Sequence, residues 1–167
     1  MKKTAIVLSV LLIFCILPSC GERDNISCRE VLAQITSAEI DLPAGKTYSI
    51  HAPEGDEEYL PDSLVDVLYG GGKRPVMADG WLDLAIFLPS SAHACEFAVF
   101  LCDSEDSATD TARMLCSRLD LIRTAKGEGV YAYYLDDATV TVIKNYVLLL
   151  ISSDCKNAMK IASETIG

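Results

Sequence analysis

A carboxylate alone in an apolar stretch is the first residue that could do chemistry. Glu96 lies within CEFAVFLC, residues 95 to 102, with only apolar side chains around it. A buried carboxylate needs a charged or hydrogen-bonding partner. Arg118, on a later helical stretch, is the natural one. The pair can be read as a ligand clamp or as a strand-to-helix salt bridge, and the second is the commoner use of such a pair.

The chain holds two histidines, His51 and His93. His93-Ala94-Cys95-Glu96 contains metal-ligand types, but no CxxC or HxxxH spacing completes a tetrahedral set, so neither metal nor cofactor is expected. Either histidine beside a cysteine or serine would serve an envelope hydrolase, which is the enzymatic alternative. Tyr131, Tyr133 and Tyr134 offer the large rigid area used in recognition. Tyr131 and Tyr133 share a face if the segment is a strand, and packing at a sheet edge is the plainer reading. Gly70-Gly71-Gly72-Lys73-Arg74 lacks the Ser or Thr that a phosphate loop needs after its lysine, so it reads as a helix stop. The acids from Glu54 to Asp66 lack the alternating pattern and fixed glycine of a calcium loop and read as a solvated face.

Several elements must position these groups. Ser27-Cys28-Arg29-Glu30 has the form of a capping box, continued at helical spacing by Val31, Ile35 and Ala38. Residues 51 to 58 read as an acidic loop, and Pro61-Asp62 opens a short helix through Leu64, Val65 and Leu68. From Trp81 the period becomes two, with Leu82, Leu84, Ile86 and Leu88 inward and Asp83, Ala85 and Phe87 outward, a half-buried strand. Cys95 to Cys102 reads as an interior strand paired with it.

Asp103 to Asp106 caps the clearest helix, whose stripe is Ala108, Ala112, Leu115, Leu119 and Ile122. Ala138–Ile143 and Tyr146–Ser152 form a hairpin around Lys144-Asn145, with Asn145 suited to the left-handed position. Ser153-Asp154 caps a last helix. The order strand, strand, helix, strand, strand, helix predicts an α+β fold, an antiparallel sheet with helices packed on one face, plus N-terminal helices.

The amino end gives an address. Lys2 and Lys3 precede an apolar run from Ala5 to Leu17, interrupted only by Ser9. As a helix this run would span about 20 Å, short of a hydrocarbon core of about 30 Å, so it reads as an export signal. Leu17-Pro18-Ser19-Cys20 resembles a bacterial lipobox. That resemblance implies cleavage before Cys20 and acylation of its sulfur, and two acyl chains suffice for stable anchoring. Residues 1–19 are thus expected to be a lipoprotein signal peptide, 20–26 a lipidated tether and 27–167 a single extracytoplasmic domain.

The formal net charge is −10 over 167 residues. Removing Lys2 and Lys3 makes it more negative, and such a surface repels nucleic acid and anionic headgroups. Besides Cys20, the mature chain has cysteines at 28, 95, 102, 116 and 155, an odd set read as small buried hydrophobes and not as disulfides.

The lipobox, DEEYLPDSLVDVLYG at 56–70, CEFAVFLCDSEDSATDTARMLCSRL at 95–119 and NYVLLLISSD at 145–154 together resemble the Gram-positive lipoproteins grouped as domain of unknown function 4358. The resemblance implies no established activity and transfers no catalytic residue. The expected function is a non-enzymatic, lipid-anchored binding or interaction module on the extracytoplasmic face of the cell membrane, its partner an envelope protein or a small ligand and not nucleic acid. A purely structural spacer is the remaining alternative.

Overall fold

The computed structural model describes residues 25–38, 41–70, 80–126, 129 and 132–167. The signal and Cys20, the run Gly71 to Arg74, and Tyr131 lie outside the described residues.

Helix α1 is Cys28–Ser37, and the Ser27 hydroxyl accepts from Glu30 N–H at 3.1 Å, as the capping box requires. Such a cap contributes about 1 kcal/mol. Strand β1, Gly45–Ser49, was not foreseen, because GKTYS is short and largely polar. It can begin where it does because Gly45 lies against the Phe87 ring and 2.6 Å, measured from an added Cβ, from the Leu88 carbonyl oxygen. Helix α2 is Asp62–Tyr69, and β2 (Trp81–Pro89) and β3 (Glu96–Cys102) pair antiparallel as expected. Helix α3, Glu105–Lys126, buries Ala108, Leu115, Leu119 and Ile122 of the predicted stripe.

A 3-10 turn at Ala132–Leu135 leads to β4 (Thr139–Ile143), β5 (Tyr146–Ile151) and helix α4 (Cys155–Ile166). The Asp154 carboxylate caps α4 by accepting from Asn157 N–H. In the β4–β5 turn the left-handed residue is Lys144, at φ +55°, and not Asn145. Lys144 Nζ donates to the Ile166 carbonyl at 2.9 Å, which ties the turn to the end of α4.

The fold is α+β. Among the described residues all four strand pairings are antiparallel, in the order β1-β2-β3-β5-β4. The helices, however, cover both faces. Side chains of directly paired residues share a face, so Phe97, Val99, Leu101, Tyr146 and Asp83 point one way and Glu96, Ala98, Phe100 and Cys102 the other. Asp83 and Tyr146 bond the start of α1, while Glu96 bonds Tyr69 of α2 and Arg118 of α3. Helices α1 and α4 therefore pack on one face and α2 and α3 on the other. This explains why every residue of β3 and β5 is buried, and each fully buried Leu or Phe there contributes about 1.5–3 kcal/mol.

Strand β2 is buried on both faces from Asp83 to Phe87, not half-buried. The register shifts between Trp81 and Asp83, where two steps of β2 meet one of β3. Such a bulge reverses the facing of what precedes it. Trp81 turns toward α3, Leu82 is 52% exposed, and Asp83 turns inward.

Candidate functional site

Glu96 sits at the start of β3 and is 3% exposed. Arg118 reaches it from the middle of α3. Nη2 donates to Oε2 at 2.7 Å and Nε to Oε1 at 3.3 Å, a fork-to-fork pair. The Tyr69 hydroxyl donates to Oε1 at 3.2 Å. The Tyr69 ring meets Phe100 edge-on at 5.4 Å, and Phe100 meets Trp81 at 4.8 Å. Trp81 Nε1–H donates to Thr111 Oγ1 at 2.8 Å, holding α3 about two turns before Arg118.

Burial pushes the Tyr69 phenol well above its ordinary value, and the Glu96 charge pushes it further, so it stays a donor. For Arg118 burial works against the charge, but the bonds and charge of Glu96 outweigh it and leave the pKa above the usual guanidinium value. The pair expected from sequence is therefore formed. Its third member, Tyr69, was missed, although it closes an apolar helical stripe and a tyrosine so placed needs a partner for its hydroxyl.

Arg118 has a second aspect. A guanidinium carries five N–H donors. Glu96 takes those on Nε and one on Nη2, and Arg118 also lines an open cavity of about 320 Å³ together with His93, Ala94, Leu121, Ile122 and Ala125. His93 meets the Tyr134 ring edge-on at 4.9 Å, so the histidine is placed at the cavity by an aromatic contact. Tyr134 is buried, its hydroxyl donating to the Asp41 carbonyl at 3.3 Å, whereas Tyr133 is 51% exposed. The segment is a 3-10 turn and not a strand, so alternation does not govern these tyrosines.

A second buried carboxylate lies on the opposite face. Asp83 accepts from Cys28 N–H at 2.6 Å and from Leu84 N–H at 2.7 Å, and faces His51 Nε2 at 3.4 Å. It thus caps the amino end of α1 from strand β2, where a carboxylate opposes the positive end of the helix dipole. His51, Asp83 and Cys28 are the residue types of a thiol triad in the wrong order, because a triad places the imidazole between carboxylate and nucleophile. Burial, then the Asp83 charge, pushes the Cys28 thiol far above its ordinary value, and Cys95 is pushed up to about 12 by burial and by Cys155. Thiols so held are poor nucleophiles. A lone Asp in an apolar strand is the same signal that singled out Glu96, and it marked Asp83 equally well.

Among the described residues no group of three or more His, Cys, Asp or Glu could hold a metal ion, and no helix is long and apolar enough to cross a membrane. Cys116 is exposed, against the expectation for all five cysteines, while Cys28, Cys95, Cys102 and Cys155 are buried. Part of the acidic loop is paired and not simply solvated: Lys46 Nζ donates to Glu57 Oε2 at 2.7 Å, and Arg29 pairs with Glu58. No family model, no curated protein and no solved structure matches the chain.

Proposed function

We propose that this chain is a non-enzymatic binding module held at the extracytoplasmic face of the membrane by lipid on Cys20, and that the cavity beside Arg118 is where it takes a small ligand. The observation that carries the reading is Arg118, held by a buried carboxylate and lining a cavity otherwise walled by Ala94, Leu121, Ile122 and Ala125 with His93. A cleft with apolar walls and one placed donor group is the usual form of a small-molecule site. The guanidinium N–H groups that Glu96 does not take favour an acceptor such as a carboxylate or carbonyl, and the walls favour an apolar body. At about 30 Å³ per water-sized group the cavity holds on the order of ten such groups. The lipobox and the resemblance to envelope lipoproteins supply the location.

The test is thermal unfolding of the full chain with hexanoate and with hexan-1-ol. Hexanoate should raise Tm saturably and the alcohol by less, and Ala125→Phe, which fills the cavity, should abolish the rise. No saturable effect of either compound defeats the ligand reading. Processing is tested separately: Cys20→Ala should stay uncleaved and unlipidated, and wild-type processing of that variant would defeat the anchor.

A further inference from the structure

The two edges of the sheet are treated differently. At β1, Ser49 N–H donates to the Glu58 carbonyl at 2.9 Å, Leu60 N–H donates to the Ser49 carbonyl at 3.1 Å, and Tyr59 forms a parallel bridge with Ser49. The ion pair Lys46–Glu57 stands beside them. A crossing segment and charges are common ways to close an edge. At β4, the sequence Thr139-Val140-Thr141-Val142-Ile143 has no charge, no proline and no bulge, and pairs with β5 in unbroken register. Among the described residues no strand lies beyond it, and Val142 is 49% exposed.

The hairpin fixes which groups face outward. With a two-residue loop, Ile143 and Tyr146 exchange hydrogen bonds, and alternation makes Thr141 and Thr139 the next bonded positions. The N–H and C=O of Val140 and Val142 therefore point away from β5. The pattern is symmetric about Thr141. Two copies related by a two-fold axis through that residue, strands antiparallel, place Val140 of each against Val142 of the other, so the outward groups of both form four hydrogen bonds. The same register brings Lys144, whose Nζ is held by the Ile166 carbonyl, opposite Ala138 of the other copy, beside Asp137, which already pairs with Lys156 at 3.1 Å.

We infer that β4 is a self-association edge through which two copies of this chain join their sheets, with Thr141 on the two-fold axis. Thr141 and its counterpart form the non-hydrogen-bonded pair on the axis, with Cα atoms about 4.5 Å apart, within the range for a disulfide. Thr139 and its counterpart lie about 14 Å apart along the strands, beyond that range.

The test uses the full chain in native membranes, in a Cys116→Ser background that removes the exposed thiol. Thr141→Cys under copper-phenanthroline oxidation should give covalent dimer at least tenfold faster than Thr139→Cys or Ile143→Cys. Adding Val142→Lys, which puts a charge at an exposed position facing Val140 of the other copy, should cut the rate at least tenfold. Sedimentation of the otherwise unaltered full chain in detergent should give twice the protomer mass, falling to one with Val142→Lys. Equal crosslinking at the three positions, a protomer mass for the unaltered chain, or adducts only with a different protein would each overturn the proposal.

Discussion

Arg118 Nη2 lies 2.7 Å from Glu96 Oε2, a charge pair that joins the middle of α3 to the first residue of β3 beneath a side chain only 22% exposed at its arginine end. Removing one partner strands a buried charge, which costs about 3–5 kcal/mol. Glu96→Ala should lower the free energy of unfolding by that amount in denaturant titration. Glu96→Leu with Arg118→Met should recover most of it, since two apolar groups leave nothing unpaired.

Asp83→Ala should loosen α1 selectively. Losing the carboxylate leaves the Cys28 N–H without its acceptor, a cost of about 1–3 kcal/mol. Hydrogen exchange followed by mass spectrometry should show faster exchange in residues 28–37 than in β3. Uniform acceleration throughout would mean that Asp83 does not act as the cap of this helix.

Stability should fall at alkaline pH. The Cys95 thiol is raised to about 12 by burial and by Cys155, and Tyr146 is raised to about 12 by burial and by Cys28 and Asp83. In the unfolded chain these groups lose their protons near their ordinary values, about 8.5 and about 10. Between those values and about 12 the unfolded state binds fewer protons than the folded one, so unfolding becomes easier as pH rises. Each such group steepens the loss by about 1.4 kcal/mol per pH unit. Stability should be level between pH about 7 and 8 and decline above it, and Cys95→Ala should flatten the first part of the decline in unfolding measured from pH 7 to 11.

Thiol labelling should distinguish one cysteine from the rest. Cys116 is exposed and the other four described cysteines are buried. A maleimide in excess should add one label to the native domain within minutes and five after denaturation, read as intact mass. More than one rapid native label would show that a buried thiol is reached by local opening.

The stripe of α3 and the apolar run of β3 were legible because each has a single period that tertiary packing reinforces. A strand without a polar face, such as β3, also announces cover on both sides, whereas the hairpin order alone points to helices on one face. Strict alternation fails at Leu82 because a bulge is a one-residue event with no compositional mark, and the half-buried reading of Asp83 to Phe87 fails because helices cover both faces of the sheet. Strand β1 was illegible because its residues are set by an edge position and not by burial. The Glu96–Arg118 pair could be read since a lone carboxylate in an apolar strand demands a partner. The cavity could not, since it depends on where a loop residue, His93, comes to rest beside Leu121 and Ala125.

Where the amino-terminal segment enters the domain, the Tyr146 hydroxyl donates to the Ile26 carbonyl at 2.6 Å and Asp83 accepts from Cys28 N–H at 2.6 Å. These contacts lie on β5 and β2, the two neighbours of the central strand. A pull arriving through that segment is thus shared between two strands on either side of the sheet's midline before it can unwind α1.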